Sequence, residues 1–231
     1  MGPIIEAKVL QEQKTVALAR WLLGKHLVRR HADGATDARM IVETEAYDGE
    51  RDQACHARAG RTPRTQVLYQ PGGIWYVYLC YGIHEMLNLV VGPADWPAAI
   101  LIRGVEGAIG PGRVTKALTI NRQLNTANAT SDVSGLWLED RGVRVPRTIV
   151  ETTPRIGVDY AGPIWTMKPW RFRFDPRALT APRVARTPVK GPPGQVPTEA
   201  PEHAALAEPT LPDPSGRRAT RTARRMPRPD G

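Results

Sequence analysis

Short runs of β-branched and aromatic residues, each bounded by turn signals, constrain the fold of this chain most strongly. Three of them, at 74–79, 87–91 and 99–102, follow one another closely, with Gly92-Pro93 and Pro97 between the last two. Runs of this length and composition are typical of β-strands, and Gly and Pro interrupt them where the chain turns. Their spacing predicts an antiparallel or mixed sheet rather than repeated βαβ units.

The N-terminal region predicts a helix followed by a β-hairpin. Apolar residues recur at helical spacing after Thr15, whose hydroxyl can cap the free N–H groups at that end, and Gly24 can end the helix in a left-handed conformation. Residues 25–30 are typical of a strand. Asp33-Gly34 is a hairpin turn signal, so the return strand is expected over 39–47.

The region after the central strands predicts one short helix and three more strands. The helix is expected over 114–120, after Gly110-Pro111-Gly112-Arg113. Its free N–H groups can hold a phosphate, with Arg113 and Lys116 close by. The strands are expected at 136–139, 149–152 and 170–174.

The charge balance favours an anionic partner. The chain has a formal charge of +9 and a pI near 10.0, so nucleic acid is a better candidate than a membrane. Cys55 and Cys80 are too few for a disulfide framework, and we recognise neither a signal peptide nor an apolar run of about 20 residues that could span a bilayer. We therefore expect a soluble cytoplasmic protein, associated with the nucleoid if its source is bacterial.

The composition changes after about residue 175. Residues 176–231 hold 12 of the 22 prolines and no Trp, Tyr or Phe, with ten Lys or Arg against five Asp or Glu, hence 10 − 5 = +5. Such a segment buries too little apolar surface to offset its ordering entropy. The sequence therefore predicts one domain over 1–175 and a disordered tail over 176–231.

The predicted return strand carries two closely spaced carboxylates and an aromatic ring. Alternation places Met40, Val42, Thr44 and Ala46 on one face and Ile41, Glu43, Glu45 and Tyr47 on the other. Carboxylates two residues apart are often only the solvated face of a strand. The apolar neighbours of Glu45 favour instead a raised pKa, which suits a general base.

Aromatic rings and arginines concentrate in residues 41–88, which hold five of the six tyrosines. Alternation puts Tyr76 and Tyr78 on one face of their strand and Trp75 and Val77 on the other, where core packing is the simplest role. Tyr81 follows at a turn, where a large ring has little reason to be buried and can wedge into a base stack. The polar loop over 48–70 contains Arg51, Arg58, Arg61 and Arg64. Acids, rings and arginines together favour a flat, polyanionic ligand, with Arg61, Arg64, Arg113 and Lys116 as candidates for phosphate contacts.

Other chemistries have weaker support. Cys55-His56 and His84-Glu85 lack the spacings of zinc sites, so no metal is expected. No serine lies near a histidine and no G-x-S-x-G motif is present, which disfavours a Ser-His-Asp triad. The stretch 107–117 superficially resembles a helix-hairpin-helix turn but lacks a preceding helix.

Several motifs in order along residues 5–175 resemble the alkyladenine (3-methyladenine) DNA glycosylases of the mammalian type. They are Val42-Glu43-Thr44-Glu45-Ala46-Tyr47, His56, Gly60-Arg61-Thr62-Pro63-Arg64, Tyr76-Val77-Tyr78-Leu79-Cys80-Tyr81-Gly82-Ile83-His84, Asn88, Leu101-Ile102-Arg103-Gly104-Val105-Glu106, Gly110-Pro111-Gly112-Arg113, Pro154-Arg155-Ile156-Gly157-Val158 and Lys168-Pro169-Trp170-Arg171-Phe172. The resemblance implies an α+β fold, a single mixed domain around a curved antiparallel sheet with flanking helices.

The resemblance also implies an activity. Such an enzyme flips a damaged purine (3-methyladenine, 7-methylguanine, hypoxanthine or ethenoadenine) out of double-stranded DNA and hydrolyses its N-glycosidic bond, without a cofactor and as a monomer. Since no lysine lies near Glu45 in its motif, we expect no lyase step. The alternative is a lesion-binding or architectural DNA protein without turnover, in which Glu45 is idle.

The resemblance assigns roles to individual residues. Glu45 activates the water, which Arg103 and the backbone near Ile156 help to position. Tyr47 and His56 sandwich the flipped base, with Tyr78 opposite. Tyr81 fills the gap in the duplex, and the amide of Asn88 rejects some normal purines.

Overall fold

The computed structural model describes residues 2–180, and these form one curled antiparallel sheet, a half-barrel, with short helices around it. The strands are β1 His26–Arg30, β2 Thr36–Asp48, β3 Trp75–Cys80, β4 His84–Val91, β5 Ala98–Val105, β6 Ala108–Ile109, β7 Leu136–Glu139, β8 Glu151–Thr153 and β9 Arg171–Arg173. Their order is β3-β4-β5-β2-β1-β7, with β6 paired to β5 and β9 joining β2 to β8. The predicted antiparallel α+β fold is confirmed.

Within residues 2–180, four α-helices flank the sheet: α1 Ala7–Leu10, α2 Thr15–Trp21, α3 Pro111–Ala117 and α4 Pro163–Thr166. The predicted capping role of Thr15 is wrong. Thr15 is already inside α2, and its hydroxyl donates instead to Oδ1 of Asp48 at 2.6 Å. The helix is held to the sheet where the Thr44 hydroxyl donates to the Ala19 carbonyl at 2.7 Å.

Strand β2 organises the sheet. Its first residues pair with β1, the part from Ile41 to Asp48 pairs with β5, and Glu43 to Glu45 also pair with β9. The β2–β5 register shifts on both sides of Glu43, which stands opposite Gly104. Bulges of this kind often re-aim side chains beside functional sites. The middle of β2 is therefore fixed by neighbours on both edges.

The two faces of the sheet bury different clusters. Trp75 and Val77 lie in the main core with Leu22, Leu87, Ile100 and Phe172, whereas Tyr76 packs in a smaller cluster with Leu68, Val90 and Ala99. Tyr78 packs against that smaller cluster. The predicted division of the β3 side chains is confirmed, because successive side chains of a strand point to opposite faces.

The later elements differ from prediction at their ends. Helix α3 begins at Pro111, three residues before the predicted start, because Pro111 suits the first helical position. Of the predicted strand over 149–152, only the end is strand, since Arg147–Ile149 is a 3₁₀ turn. A last 3₁₀ turn covers Pro176–Leu179, and Leu179 packs against the main core. The remaining predicted tail, 181–231, lies outside the described residues. Within the described part, no helix is long and apolar enough to cross a membrane.

Candidate active site

Glu45 is fully buried in the second half of β2, and three donors surround its carboxylate. The backbone N–H of Ile156 donates to Oε1 at 3.0 Å. The hydroxyl of Tyr47 donates to Oε2 at 2.9 Å. Nε of Arg103 lies 3.5 Å from Oε1. The structure thus brings together four residues that the sequence singled out, from three separate parts of the chain.

The electrostatic setting of Glu45 contains opposing effects. Burial raises the pKa of its carboxyl above the ordinary value, while Arg103, the Ile156 N–H and the Tyr47 hydroxyl lower it. Burial is the largest effect, so the pKa is raised overall. A carboxylate with a raised pKa is a better proton acceptor, which suits a general base.

A second carboxylate fixes Arg103. Oε1 of Glu43 accepts hydrogen bonds from Nε of Arg103 at 3.0 Å and from Nε of Arg171 at 2.5 Å. A Cβ on Gly104, opposite Glu43, would lie only 2.9 Å from the Glu43 Cβ. A glycine is therefore required where β5 passes Glu43. The hydrogen bond from Arg103 to Glu43 also holds the guanidinium between Glu43 and Glu45.

A cavity of about 400 Å³ opens beside Glu45. Its lining includes Tyr47, His56, Tyr78, Asn88, Arg103 and Ile156, all predicted site residues. Glu45 itself is not part of the lining. It lies directly behind Tyr47, Arg103 and Ile156, the three residues that hold its carboxylate.

Aromatic rings form one wall of the cavity. Nδ1 of His56 is 3.0 Å from the Tyr76 hydroxyl, and the His56 and Tyr78 rings meet edge to face at 4.7 Å between centroids. Burial, with the charges of Arg64 and Arg58, lowers the pKa of His56 to about 4. His56 is therefore a neutral ring at neutral pH.

Asn88 lies buried on β4 with its amide orientation fixed. Its Nδ2 donates to the carbonyls of Tyr76 and Met86, each at 3.3 Å. An amide nitrogen, unlike the oxygen, can satisfy two carbonyls. The Asn88 oxygen accepts no hydrogen bond within residues 2–180, and the residue lines the cavity.

Tyr81 stands at the tip of the β3–β4 hairpin, beside the cavity. Its side chain is 93% exposed, and Ile83 next to it is 74% exposed. Tyr81 has a φ of 50°, a conformation unusual for a residue with a side chain, and Gly82 follows with a φ of 71°. The tight turn thus presents the ring to solvent at the cavity rim, as the sequence predicted.

Both cysteines also line the cavity, as free thiols. Burial raises the pKa of Cys55 to about 12, so that thiol stays protonated at neutral pH. Nowhere in residues 2–180 do three or more His, Cys, Asp or Glu side chains form a group that could hold a metal ion.

A family described as methylpurine-DNA glycosylase matches residues 9–109 and 107–177. These segments contain every cavity residue named above. The chain belongs to the methylpurine-DNA glycosylase family. It is therefore a DNA glycosylase, a hydrolase of DNA repair, and its substrate is DNA.

Similar proteins carry names that describe them as candidate 3-methyladenine DNA glycosylases. One from Psychrobacter cryohalolentis is 42% identical over 189 residues, covering 69% of this chain and 86% of the relative. One from Anaeromyxobacter dehalogenans strain 2CP-C is 46% identical over 168 residues, covering 68% of this chain and 77% of the relative. One from Methanocella arvoryzae is 42% identical over 181 residues, covering 70% of this chain and 88% of the relative. The resemblance seen in the sequence is confirmed at the level of the family.

The loop arginines of this glycosylase stack on tyrosines. The guanidinium carbons of Arg58, Arg61 and Arg64 lie over the rings of Tyr160, Tyr69 and Tyr78, at 4.7, 4.2 and 5.1 Å from the centroids. Arg61 also pairs with Asp95. Of the three arginines, Arg64 lines the cavity.

The other two predicted phosphate-binding residues do not line the cavity. Arg113 and Lys116 are exposed on α3 and line a neighbouring depression of about 790 Å³, which shares Met86 and Pro111 with the cavity. Ile83 and His84 of the hairpin also line this depression.

Sequence reasoning missed one buried ion pair of this glycosylase. Arg155 donates to both carboxylate oxygens of Asp52, at 2.5 and 2.9 Å, and to the carbonyl of Ala46 at 2.8 Å. Its guanidinium also lies over the Tyr47 ring at 4.9 Å. Arg155 precedes Ile156, so the pair fixes the backbone that donates to Glu45. The motif Pro154-Arg155-Ile156-Gly157-Val158 contained the arginine, but no local pattern identified Asp52 as its partner.

Proposed function

We propose that this glycosylase excises alkylated and deaminated purines from double-stranded DNA by hydrolysis of the N-glycosidic bond, acting as a monomer and without a lyase step. The observation that carries the proposal is the placement of Glu45, held by Tyr47, Arg103 and Ile156 directly behind an aromatic cavity. A cavity of about 400 Å³ falls in the size range of small-molecule sites and is large enough for a purine.

Glu45 has the surroundings of a base that activates water. Breaking the glycosidic bond develops positive charge on the sugar, which a nearby carboxylate stabilises while it accepts a proton from water. In the free protein, Tyr47, Arg103 and the Ile156 N–H occupy the Glu45 carboxylate. We therefore expect the bound nucleotide to shift Tyr47 or Arg103, so that a water molecule can reach Glu45. Arg103, bonded to Glu43, then orients the water together with the backbone at Ile156.

The cavity walls suit a flat base. Tyr47 stacks on one face of the ring system and His56 on the other, where Tyr78 lies beside His56. A neutral His56 avoids repelling a cationic alkylated purine. Stacking of a cation on aromatic rings contributes about 0.5–2 kcal/mol. The fixed orientation of the Asn88 amide presents its oxygen to the base, which supports rejection of some normal purines.

The exposed hairpin tip suits contact with the duplex. Extruding a base costs a few kcal/mol, least for damaged or mispaired bases, and a ring inserted in the gap offsets part of that cost. Tyr81 is the candidate for that ring. Arg113 and Lys116 on α3, and Arg61 in the loop, are the candidates for phosphate contacts, whereas Arg64 lines the cavity.

The lining of the cavity favours a glycosylase without a lyase step, whose product is DNA with an uncleaved abasic sugar. Lyase chemistry needs an amine that can form a Schiff base. Among residues 2–180, no lysine lines the cavity. We therefore expect an abasic site as the product, with no covalent adduct to DNA after borohydride treatment.

The test uses duplexes containing one hypoxanthine, ethenoadenine or 7-methylguanine, followed by alkali to cleave abasic sites. Glu45→Gln should abolish strand cleavage while keeping lesion binding. The matched control is Glu12→Gln, an exposed carboxylate outside the cavity lining that pairs with Lys14, and it should cleave as the wild type does. A wild-type protein that binds these lesions without cutting them would establish instead a lesion-binding role.

A further inference from the structure

Arg64 occupies an unusual position for a loop arginine, on the wall of the cavity. Its guanidinium lies 5.1 Å from the Tyr78 centroid, and its Nε is 3.4 Å from the Tyr76 hydroxyl. Tyr76 in turn contacts Nδ1 of His56. Arg64 is an exposed residue, and its guanidinium contacts two rings of the aromatic wall.

The charge of Arg64 is not neutralised by a neighbour. Of the two arginines that line the cavity, Arg103 is bonded to Glu43 and lies beside Glu45. Arg64 forms no ion pair among residues 2–180, where its side chain contacts the Tyr76 hydroxyl and the Tyr78 ring. Its positive charge acts in the cavity, where it adds to the lowering of the His56 pKa by burial and opposes the rise that burial causes in the Tyr76 pKa.

We propose that Arg64 is a specificity-determining residue that favours neutral damaged purines over cationic ones; this rests on the proposed excision of purines. A purine methylated at N7 carries a positive charge in the cavity, so Arg64 repels it on binding. When its glycosidic bond breaks, the bonding electrons return to the base and cancel that charge, so Arg64 gives no stabilisation to the leaving group.

A neutral purine behaves in the opposite way. As its glycosidic bond breaks, the bonding electrons pass to the base, which develops negative charge until it takes up a proton. A fixed guanidinium beside the base stabilises that charge in the transition state. Arg64 therefore assists the departure of hypoxanthine and opposes the binding of 7-methylguanine.

The experiment compares excision of 7-methylguanine and hypoxanthine from the same duplex sequence. Reactions contain excess enzyme at mildly acidic pH, where the methylated guanine remains a cation. Single-turnover rates are measured over a range of enzyme concentrations, and the ratio of the two second-order constants is compared among proteins. Arg64→Gln removes the charge, Arg64→Lys retains it, and Arg51→Gln removes a charge from the same loop outside the cavity lining.

Arg64→Gln should raise the ratio in favour of 7-methylguanine by roughly tenfold or more, the order expected when one charge near another is removed at an effective dielectric constant of about 20. Arg64→Lys should stay close to the wild type, and so should Arg51→Gln. The proposal is overturned if Arg64→Gln leaves the ratio unchanged, or if Arg51→Gln shifts it equally, since the effect would then come from the general charge of the loop. A wild-type protein that excises neither base refutes the proposed function itself, and with it this role of Arg64.

Discussion

The hydroxyl of Tyr47 donates a hydrogen bond of 2.9 Å to Oε2 of Glu45, two residues before it on β2. Residues two apart on a strand share a face, so one side chain can line the cavity and also reach the carboxylate behind it. Tyr47 therefore connects the wall that faces the base with the candidate general base. A shift of the Tyr47 ring on nucleotide binding would change the surroundings of Glu45 directly.

Tyr47→Phe should move the acidic limb of the pH–rate profile to higher pH. Glu45 must be ionised to accept a proton, and the Tyr47 hydroxyl lowers the pKa of its carboxyl. Removing the hydroxyl removes that stabilisation of the carboxylate, so the pKa rises and activity is lost earlier as the pH falls. The second-order constant for excision of hypoxanthine, measured across the acidic range, reports the ionisation of the free enzyme and so measures this limb.

The control for this prediction is Tyr78→Phe, which removes a hydroxyl from the same cavity without a hydrogen bond to Glu45. Its acidic limb should stay at the wild-type position, whatever the change in rate. A limb that is unchanged or shifted to lower pH in Tyr47→Phe contradicts the role of the hydrogen bond.

Arg103→Gln should lower the excision rate by about 10²–10³, the typical loss when one preorganised electrostatic donor is removed from an active site. Arg171→Gln is the matched variant, because the Arg171 side chain bonds to the same Glu43 oxygen but forms no hydrogen bond or ion pair with the Glu45 carboxylate, although the two residues are opposite each other in the β2–β9 pairing. It should retain at least about a tenth of the wild-type rate. Equal losses in the two variants would mean that pairing with Glu43, not proximity to Glu45, is what matters.

The strands could be predicted from the sequence because their patterns are local. Alternation along β2 and β3 placed Tyr47 with Glu45 and Tyr78 with Tyr76 correctly. The Thr15 cap failed because Asp48, 33 residues away, takes its hydroxyl. A carboxylate that distant leaves no trace in the local pattern.

The assembly of the site depends on contacts between distant segments. Ile156 reaches Glu45 across 111 residues, and Arg155 reaches Asp52 across 103. Periodicity gives the face of a strand but not its partner in the sheet, so only the resemblance to a family placed Arg103 and Ile156 beside Glu45. The bulge at Glu43 and the stacking of Arg64 on Tyr78 had no signal in the sequence.

Asp52→Asn should destabilise the protein by about 3–5 kcal/mol, because it leaves the buried Arg155 charge without its partner. The free energy of unfolding in urea measures this loss. Excision should fall as well, since Arg155 fixes the backbone of Ile156. Asp175→Asn, which breaks an exposed pair with Arg177, should change stability little; a similarly mild effect of Asp52→Asn would show that the buried pair is not important for the fold.

Tyr81→Gly should separate stability from activity. A φ of 50° costs a tyrosine about 1–2 kcal/mol, whereas glycine adopts it freely. Glycine also has more freedom in the unfolded chain, which lowers the stability of the folded protein by about 0.5–1 kcal/mol. Stability should thus be unchanged or higher by up to about 1 kcal/mol. Excision from a paired duplex should fall, because no ring fills the gap left by the base. Tyr81→Trp retains a ring and should keep most of the activity; full activity of Tyr81→Gly contradicts the wedge.

Truncation after Thr180 should leave excision and thermal stability unchanged but weaken nonspecific DNA binding. Residues 181–231 hold nine Lys or Arg and five Asp or Glu, hence 9 − 5 = +4 of the total +9. Fewer positive charges give fewer phosphate contacts and a smaller salt dependence of binding.

Truncation after Asp175 should in addition lower stability by about 1 kcal/mol, because Leu179 packs against the main core. Equilibrium binding to undamaged duplex at several salt concentrations, with urea unfolding of both truncations, provides the comparison. Loss of excision after the first truncation would show that residues 181–231 contribute to the active enzyme.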